Sequence, residues 1–174
     1  MPSRVVELVV NDEPAEFLAP PGTTLLTTLR ETLGLTAAKR GCAQGTCRTC
    51  TVLLDGRPVM ACLIPVETIN GASVQTLEGV SGVDTELDEL QVAFLEGFAT
   101  QCGFCTSGMI MAAEALLAIN PDPSREDVVR AISGNVCRCT GYELIINAIL
   151  DAAARRRGAA GHAPGAGLPI ESAS

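Results

Sequence analysis

An α+β fold in two unlike halves is predicted by three features: short strands with turn signals up to residue 79, helical apolar spacing from there to 158, and a Gly-, Ala- and Pro-rich stretch beyond. The expected domains are therefore 1–79, 80–158 and a flexible tail at 159–174, with the boundary near Gly79 to Gly82. With 174 residues, 47% of them hydrophobic, the chain can bury a core in each half.

In the first half, Val5-Val6-Glu7-Leu8-Val9-Val10 and Ala15-Glu16-Phe17-Leu18 flank the polar run Asn11-Asp12-Glu13-Pro14, which predicts two strands around a turn. After Pro20-Pro21-Gly22, Thr23 or Thr24 N-caps a helix carrying Leu25, Leu26, Leu29 and Leu33 on one stripe, and Gly34 stops it. Thr51–Leu54 and Arg57–Cys62 around Asp55-Gly56 form a hairpin pattern. One further short strand is expected between Ile69 and Leu77. The result is a small sheet crossed by one helix.

The second half changes period. From Thr85 to Phe98, Leu87, Leu90, Phe94, Leu95 and Phe98 recur at helical spacing, and Met109 to Ile119 gives an apolar helix ended by Asn120-Pro121-Asp122-Pro123. Ser124 and Asp127 resemble a capping box opening a helix through Val128, Val129 and Ile132 to Gly134. Tyr142 to Arg157 makes a fourth, with Leu144, Ile145, Ala148, Ile149 and Ala152 inward. Short connections imply an antiparallel four-helix bundle.

Composition removes several function classes. A net charge of −8 opposes nucleic-acid binding, which needs clustered Lys and Arg. The one basic run, Arg155-Arg156-Arg157, suits a helix C-terminus. No apolar run reaches membrane-spanning length, and the first residues lack the apolar core and cleavage site of a signal peptide, so a cytoplasmic location is expected. The single histidine, His162, falls in the expected tail, and no GxGxxG or GxxxxGK loop occurs, which leaves little for His-based catalysis or phosphate binding. The acidic residues are scattered or lie at helix starts, where they cap.

Eight cysteines in a reducing compartment point to metal rather than disulfides. Cys42, Cys47 and Cys50 form CxxxxCxxC on one loop with Cys62 beyond the next hairpin, the spacing of plant-type ferredoxins. A binuclear iron-sulfur core is wider than one ion, so three ligands wrap it from one loop while the fourth comes from elsewhere. Gly41 and Gly45 can take positive φ and let N–H groups approach the sulfurs. Cys102 and Cys105 form CxxC, and Cys137 and Cys139 form CxC; each pair is placed at a helix N-terminus, where unpaired N–H groups and the dipole favour thiolates. For this second quartet a four-cysteine zinc site and disulfides stay open as alternatives. The presence of the first quartet favours iron-sulfur, because two one-electron centres make a relay.

The segments Gly41-Cys42-Ala43-Gln44-Gly45-Thr46-Cys47-Arg48-Thr49-Cys50, Gln101-Cys102-Gly103-Phe104-Cys105-Thr106-Ser107-Gly108-Met109 and Gly134-Asn135-Val136-Cys137-Arg138-Cys139-Thr140-Gly141-Tyr142 resemble the iron-sulfur subunit of the xanthine oxidase family of molybdenum hydroxylases, whose relatives include aldehyde oxidoreductase and carbon monoxide dehydrogenase. The resemblance covers roughly residues 4 to 157. It implies a ferredoxin-like β-grasp domain with one 2Fe-2S cluster on Cys42, Cys47, Cys50 and Cys62, then a four-helix domain with a second on Cys102, Cys105, Cys137 and Cys139. It also implies a large partner subunit carrying molybdopterin, of the cytosine dinucleotide or a related form, against which Gln101 and Cys139 lie, and commonly a third subunit carrying FAD. Electrons would leave molybdenum through the helical domain and reach flavin through the ferredoxin-like one, with substrate oxidised on the partner.

Two positions depart from the commonest form of the pattern. Arg48 stands where glycine is usual, and Ser107 where proline is common. A cation at Arg48 near the plant-type cluster would raise its potential; a solvated, screened arginine would not. Two other functional readings compete: a freestanding two-cluster ferredoxin-like carrier steered by its acidic charge, and a zinc-stabilised assembly subunit.

Overall fold

The computed structural model describes residues 2–81 and 87–158; the tail expected at 159–174, and residues 82–86 at the expected boundary and helix start, lie outside the described residues. The first half builds one five-stranded mixed sheet in the order β2-β1-β5-β3-β4. Strands β1 (Arg4–Val10) and β2 (Glu13–Ala19) pair antiparallel around Asn11 and Asp12, both at positive φ, the turn whose twist matches its strands. The turn is shorter than the polar run suggests. Pro14 lies inside β2 opposite Val9, and an edge strand can spare the N–H that proline lacks.

Thr24 caps α1 (Leu25–Thr27), its hydroxyl accepting from the Thr27 N–H at 3.2 Å. The helix then widens into a π-type turn over Thr28–Thr32, with the Leu33 N–H donating to Thr28 O. Leu25, Leu26 and Leu29 are buried as the stripe requires, whereas Leu33 is half-buried. β3 (Thr51–Leu54) and β4 (Arg57–Met60) form the Asp55-Gly56 hairpin. β5 (Ser73–Gln75) inserts between them and the first hairpin, parallel to β1 and antiparallel to β3.

The second half holds α2 (Glu89–Glu96), α3 (Thr106–Ile119), α4 (Arg125–Ile132) and α5 (Glu143–Arg156). The Ser124–Asp127 capping box is present, and Asp88 with Gln91 makes a second one on α2. The expected stripe on α2 is half right: Leu90 and Phe94 are buried, but Leu87, Leu95 and Phe98 are exposed. α2 is only eight residues long and ends before Gly97, so Phe98 falls beyond the helix at φ +52 rather than on its buried face. On α5, Leu144 also faces outward, and Ile146 and Ala153 join the buried set.

Each half has its own core, and α3 packs into the helical one on one side and against the sheet through a small separate cluster on the other. Met109, Ile110, Ala113 and Leu117 pack among the helices, while Met111 and Ala115 meet Leu53 of β3. That double duty explains a helix apolar on nearly every side. At its first turn a Cβ on Gly108 would stand 2.6 Å from Arg48 O, so only glycine lets α3 lie against the cysteine loop. The three arginines closing α5 do more than suit its dipole. Arg155 pairs with Glu96 and Asp151, Arg156 with Glu114 and Asp88 at 2.6 Å each, and Arg157 with Asp122 at 3.0 Å, which fastens α5 to α2, to α3 and to the α3–α4 loop. Among the described residues no helix is long and apolar enough to cross a membrane.

Candidate functional site

Cys42, Cys47 and Cys50 lie on the irregular segment between the π-type turn and β3, and Cys62 lies in the 3-10 turn Ala61–Leu63 after β4. Positive φ at Ala43, Gly45 and Arg48 curls the loop on itself, backbone strain of the sort that gathers at functional sites. The N–H groups of Thr46 and Gln44 thereby donate to Cys42 Sγ at 3.3 and 3.5 Å. Of the two glycines, Gly45 takes the expected positive φ. Gly41 is needed for a different reason: a Cβ there would stand 2.8 Å from Cys47 Sγ and 2.7 Å from Thr49 Oγ1.

These surroundings split the thiols. The Thr46 side chain, then the Gln44 N–H and the Cys47 thiol, pull Cys42 down to about 5. Burial, with help from the adjoining Cys62 and Cys47 thiols, pushes Cys50 up to about 11.

In the second half Cys105 immediately precedes α3, while Cys102 is exposed on the loop before it. Burial, then the neighbouring Cys137 and Cys102 thiols, push Cys105 up to about 12. Cys137 and Cys139 sit on the loop that leads into α5, which Tyr142 caps at φ +70. For Cys137, burial works against ionisation, yet the Thr140 hydroxyl at 3.1 Å and the Thr140 and Cys139 N–H groups hold the thiol below its ordinary value. The Phe104 N–H and the Cys139 thiol lower Cys102, and the Cys102 thiol at 3.6 Å raises Cys139.

Contacts across the seam bring the two sets of cysteines close. The Val136 N–H donates to the Cys47 carbonyl at 3.0 Å, and Asn135 Nδ2 to the Arg48 carbonyl at 3.1 Å. Ser107 Oγ donates to Ala37 O at 2.6 Å, which gives the serine its own tie between halves. The Phe104 ring lies 3.5 Å from where a Gly41 Cβ would sit. The Arg48 side chain runs along Gly134, so close that a Cβ there would stand 2.5 Å from its Nε. Gln101 is exposed beside Cys102. Sequence reasoning did not find Thr140, Tyr142, Asn135 or the Val136 N–H; their one signal is their place in the motif around Cys137 and Cys139.

The donors suit a binuclear iron-sulfur group. All eight cysteines are free, the sulfurs of each set adjoin in pairs, and the Gly41 cradle leaves room that a side chain would fill. Among the described residues no three His, Cys, Asp or Glu side chains close around one ion.

Known proteins resemble this chain in sequence and in fold. Residues 8–73 match the family described as a 2Fe-2S iron-sulfur cluster binding domain, and residues 76–150 match a second 2Fe-2S binding domain family. The nicotinate dehydrogenase small FeS subunit of Eubacterium barkeri is 46% identical over 137 residues, 79% of this chain and 87% of that one. The xanthine dehydrogenase iron-sulfur-binding subunit of Escherichia coli O157:H7 is 41% identical over 148 residues, 84% of this chain and 92% of the other. A chain in the crystal structure of quinoline 2-oxidoreductase from Pseudomonas putida 86 superposes with a TM-score of 0.85 at 45% identity, covering 92% of this chain and all of that one.

Proposed function

The chain belongs to the small iron-sulfur subunits of the xanthine oxidase family of molybdenum hydroxylases, and from that premise we propose how its residues divide the work of electron transfer. It is the electron-transfer subunit of such a complex, and substrate chemistry takes place on a partner chain. The finer reading assigns residues 1–79 to a β-grasp domain with Cys42, Cys47, Cys50 and Cys62 as ligands. It assigns 80–158 to a four-helix bundle with Cys102, Cys105, Cys137 and Cys139 as ligands. A 2Fe-2S group, when bound, takes up and releases one electron at a time.

The carrying observation is the 3.0 Å hydrogen bond from the Val136 N–H to the Cys47 carbonyl. Val136 adjoins Cys137, so a path of bonded atoms runs from one set of cysteines to the other with a single hydrogen bond in it. Cys50, Cys62 and Cys105 are buried and keep water from the inner side of each set. Cys102, Cys139 and Gln101 are exposed, and that outer side supports docking against a large subunit. In our reading Gln101 and Cys139 lie there against molybdopterin, in its cytosine dinucleotide form, and electrons leave through the sheet half toward FAD on a medium subunit or another acceptor. A cytoplasmic setting fits eight cysteines committed to metal rather than to disulfides.

Counting molybdenum, flavin and iron per small subunit in the purified native complex tests the assignment. Cys50→Ala and Cys105→Ala are each expected to remove half the iron and a different one of two binuclear electron paramagnetic resonance (EPR) signals. Loss of neither signal, or of the same one in both variants, would overturn it.

A further inference from the structure

The turn after Cys139 holds one hydroxyl in a fixed direction. Thr140 Oγ1 lies 3.1 Å from Cys137 Sγ, and either atom could donate when the sulfur is a thiol. A sulfur that ligates a metal carries no proton, so the hydroxyl is then the donor. The Tyr142 N–H donates to Thr140 Oγ1 at 3.2 Å, which uses a lone pair of that oxygen and leaves the hydroxyl proton for the sulfur. Gly141 and Tyr142 are both at positive φ, a costly conformation for an aromatic residue. It is held in place by the Tyr142 phenol, which accepts from the Cys137 N–H at 2.9 Å and donates to Asn135 O at 3.2 Å.

The first half offers an instructive contrast. Thr49 Oγ1 lies 3.3 Å from Cys47 Sγ, but its proton is drawn to the Lys39 carbonyl at 3.1 Å. There a carbonyl competes with the sulfur for the one hydroxyl proton; at Thr140 the neighbour supplies a donor, and the sulfur keeps it.

We propose that Thr140 is a built-in hydrogen-bond donor to the sulfur of Cys137, aimed by Tyr142 as a positioning residue, and that it raises the reduction potential of the helical-half centre. The inference rests on the reading of Cys137 as a ligand. One added electron places more negative charge on the ligand sulfurs, so an O–H donor stabilises the reduced form more than the oxidised one. Losing one such bond changes the reduced-to-oxidised ratio at fixed potential by about tenfold, which for one electron is 59 mV.

The test is an EPR-monitored redox titration of the native complex. Thr140→Val should make the midpoint of one binuclear signal more negative and leave the other unmoved, while Thr140→Ser, which keeps the hydroxyl, stays near the parent. In the same titration Cys137→Ala should abolish that same signal. If Cys137→Ala spares both signals, the ligand reading fails. If it removes one signal while the midpoint in Thr140→Val is unmoved, the Thr140 proposal fails alone. Should Thr140→Val not load, deuterium exchange of the unmutated complex decides: an exchangeable-proton coupling present on this signal and retained in Thr140→Ser is expected, and its absence overturns the proposal.

Discussion

Val136 reaches across the seam to Cys47, its N–H donating to the cysteine's carbonyl at 3.0 Å, while its own side chain stays half exposed. The contact is made by backbone alone, so side-chain replacement at Val136 leaves it intact and only proline removes it. Val136→Pro is expected to keep both binuclear signals, to slow electron exchange between them in rapid-mixing experiments, and to cost about 1 kcal/mol of stability for the lost bond. Exchange at the parent rate in a fully loaded variant would show that electrons do not use this bond.

Arg48 combines two effects of opposite sign. At φ +53 it sits where glycine costs least, so Arg48→Gly should recover about 1 kcal/mol of backbone strain, read as a higher unfolding temperature. The same change removes a cation one residue from Cys47 and lying along Gly134, and the sheet-half midpoint is expected to fall. A higher melting temperature with no change in midpoint would mean that solvent screens the guanidinium.

What could be read from the sequence follows the range of the forces involved. Local signals held: the Asp55-Gly56 hairpin, the Ser124–Asp127 capping box and the Thr24 cap each depend on residues within a few positions of one another. Spacing marked each cysteine motif, but the adjoining of Cys102 and Cys139 across 37 residues comes from the helical hairpin, not from local sequence. Pro14 misled because polarity marks a turn but not its length, and edge position, which excuses the proline, is decided by distant pairing. Leu87 and Phe98 misled because periodicity gives a face but not where the helix begins and stops, while Leu95, inside α2, falls off the face that Leu90, Ala93 and Phe94 bury. The seam was illegible for the same reason: Asn135 meeting Arg48, and Ser107 meeting Ala37, join residues far apart in the chain.

Thiol chemistry should expose the loop geometry directly. In the cluster-free chain, Cys42 at about 5 is already thiolate near neutrality, whereas Cys50 at about 11 and buried Cys105 at about 12 stay protonated. Iodoacetamide labelling followed by peptide mass spectrometry is expected to modify Cys42 first, at a rate flat above pH of about 6, with Cys105 last. In guanidinium the differences should collapse to one profile rising through about pH 8.5, the value of an unperturbed thiol. Equal labelling rates in the folded chain would contradict the hydrogen bonds drawn to Cys42 Sγ.

Arg156 offers the sharpest test of what holds the helical half together. It pairs with Glu114 of α3 and with Asp88 at the cap of α2, and all three side chains are less than a third exposed. Removing it leaves two carboxylates facing each other with no cation, so Arg156→Ala should cost about 2–3 kcal/mol, somewhat under the loss for a fully buried pair. The pH dependence has a definite sign. Burial raises the Glu114 carboxyl above its ordinary 4.5, with Arg156 pulling the other way. A raised folded value contributes stability below the unfolded value and loses it as pH rises through the folded one. Without Arg156 the folded value climbs further, so the deficit of the variant should grow as pH rises above the ordinary 4.5 in thermal unfolding. Adding Glu114→Gln to Arg156→Ala should flatten that growth. A deficit independent of pH in the single variant would place the loss in packing of the arginine stem rather than in its charge.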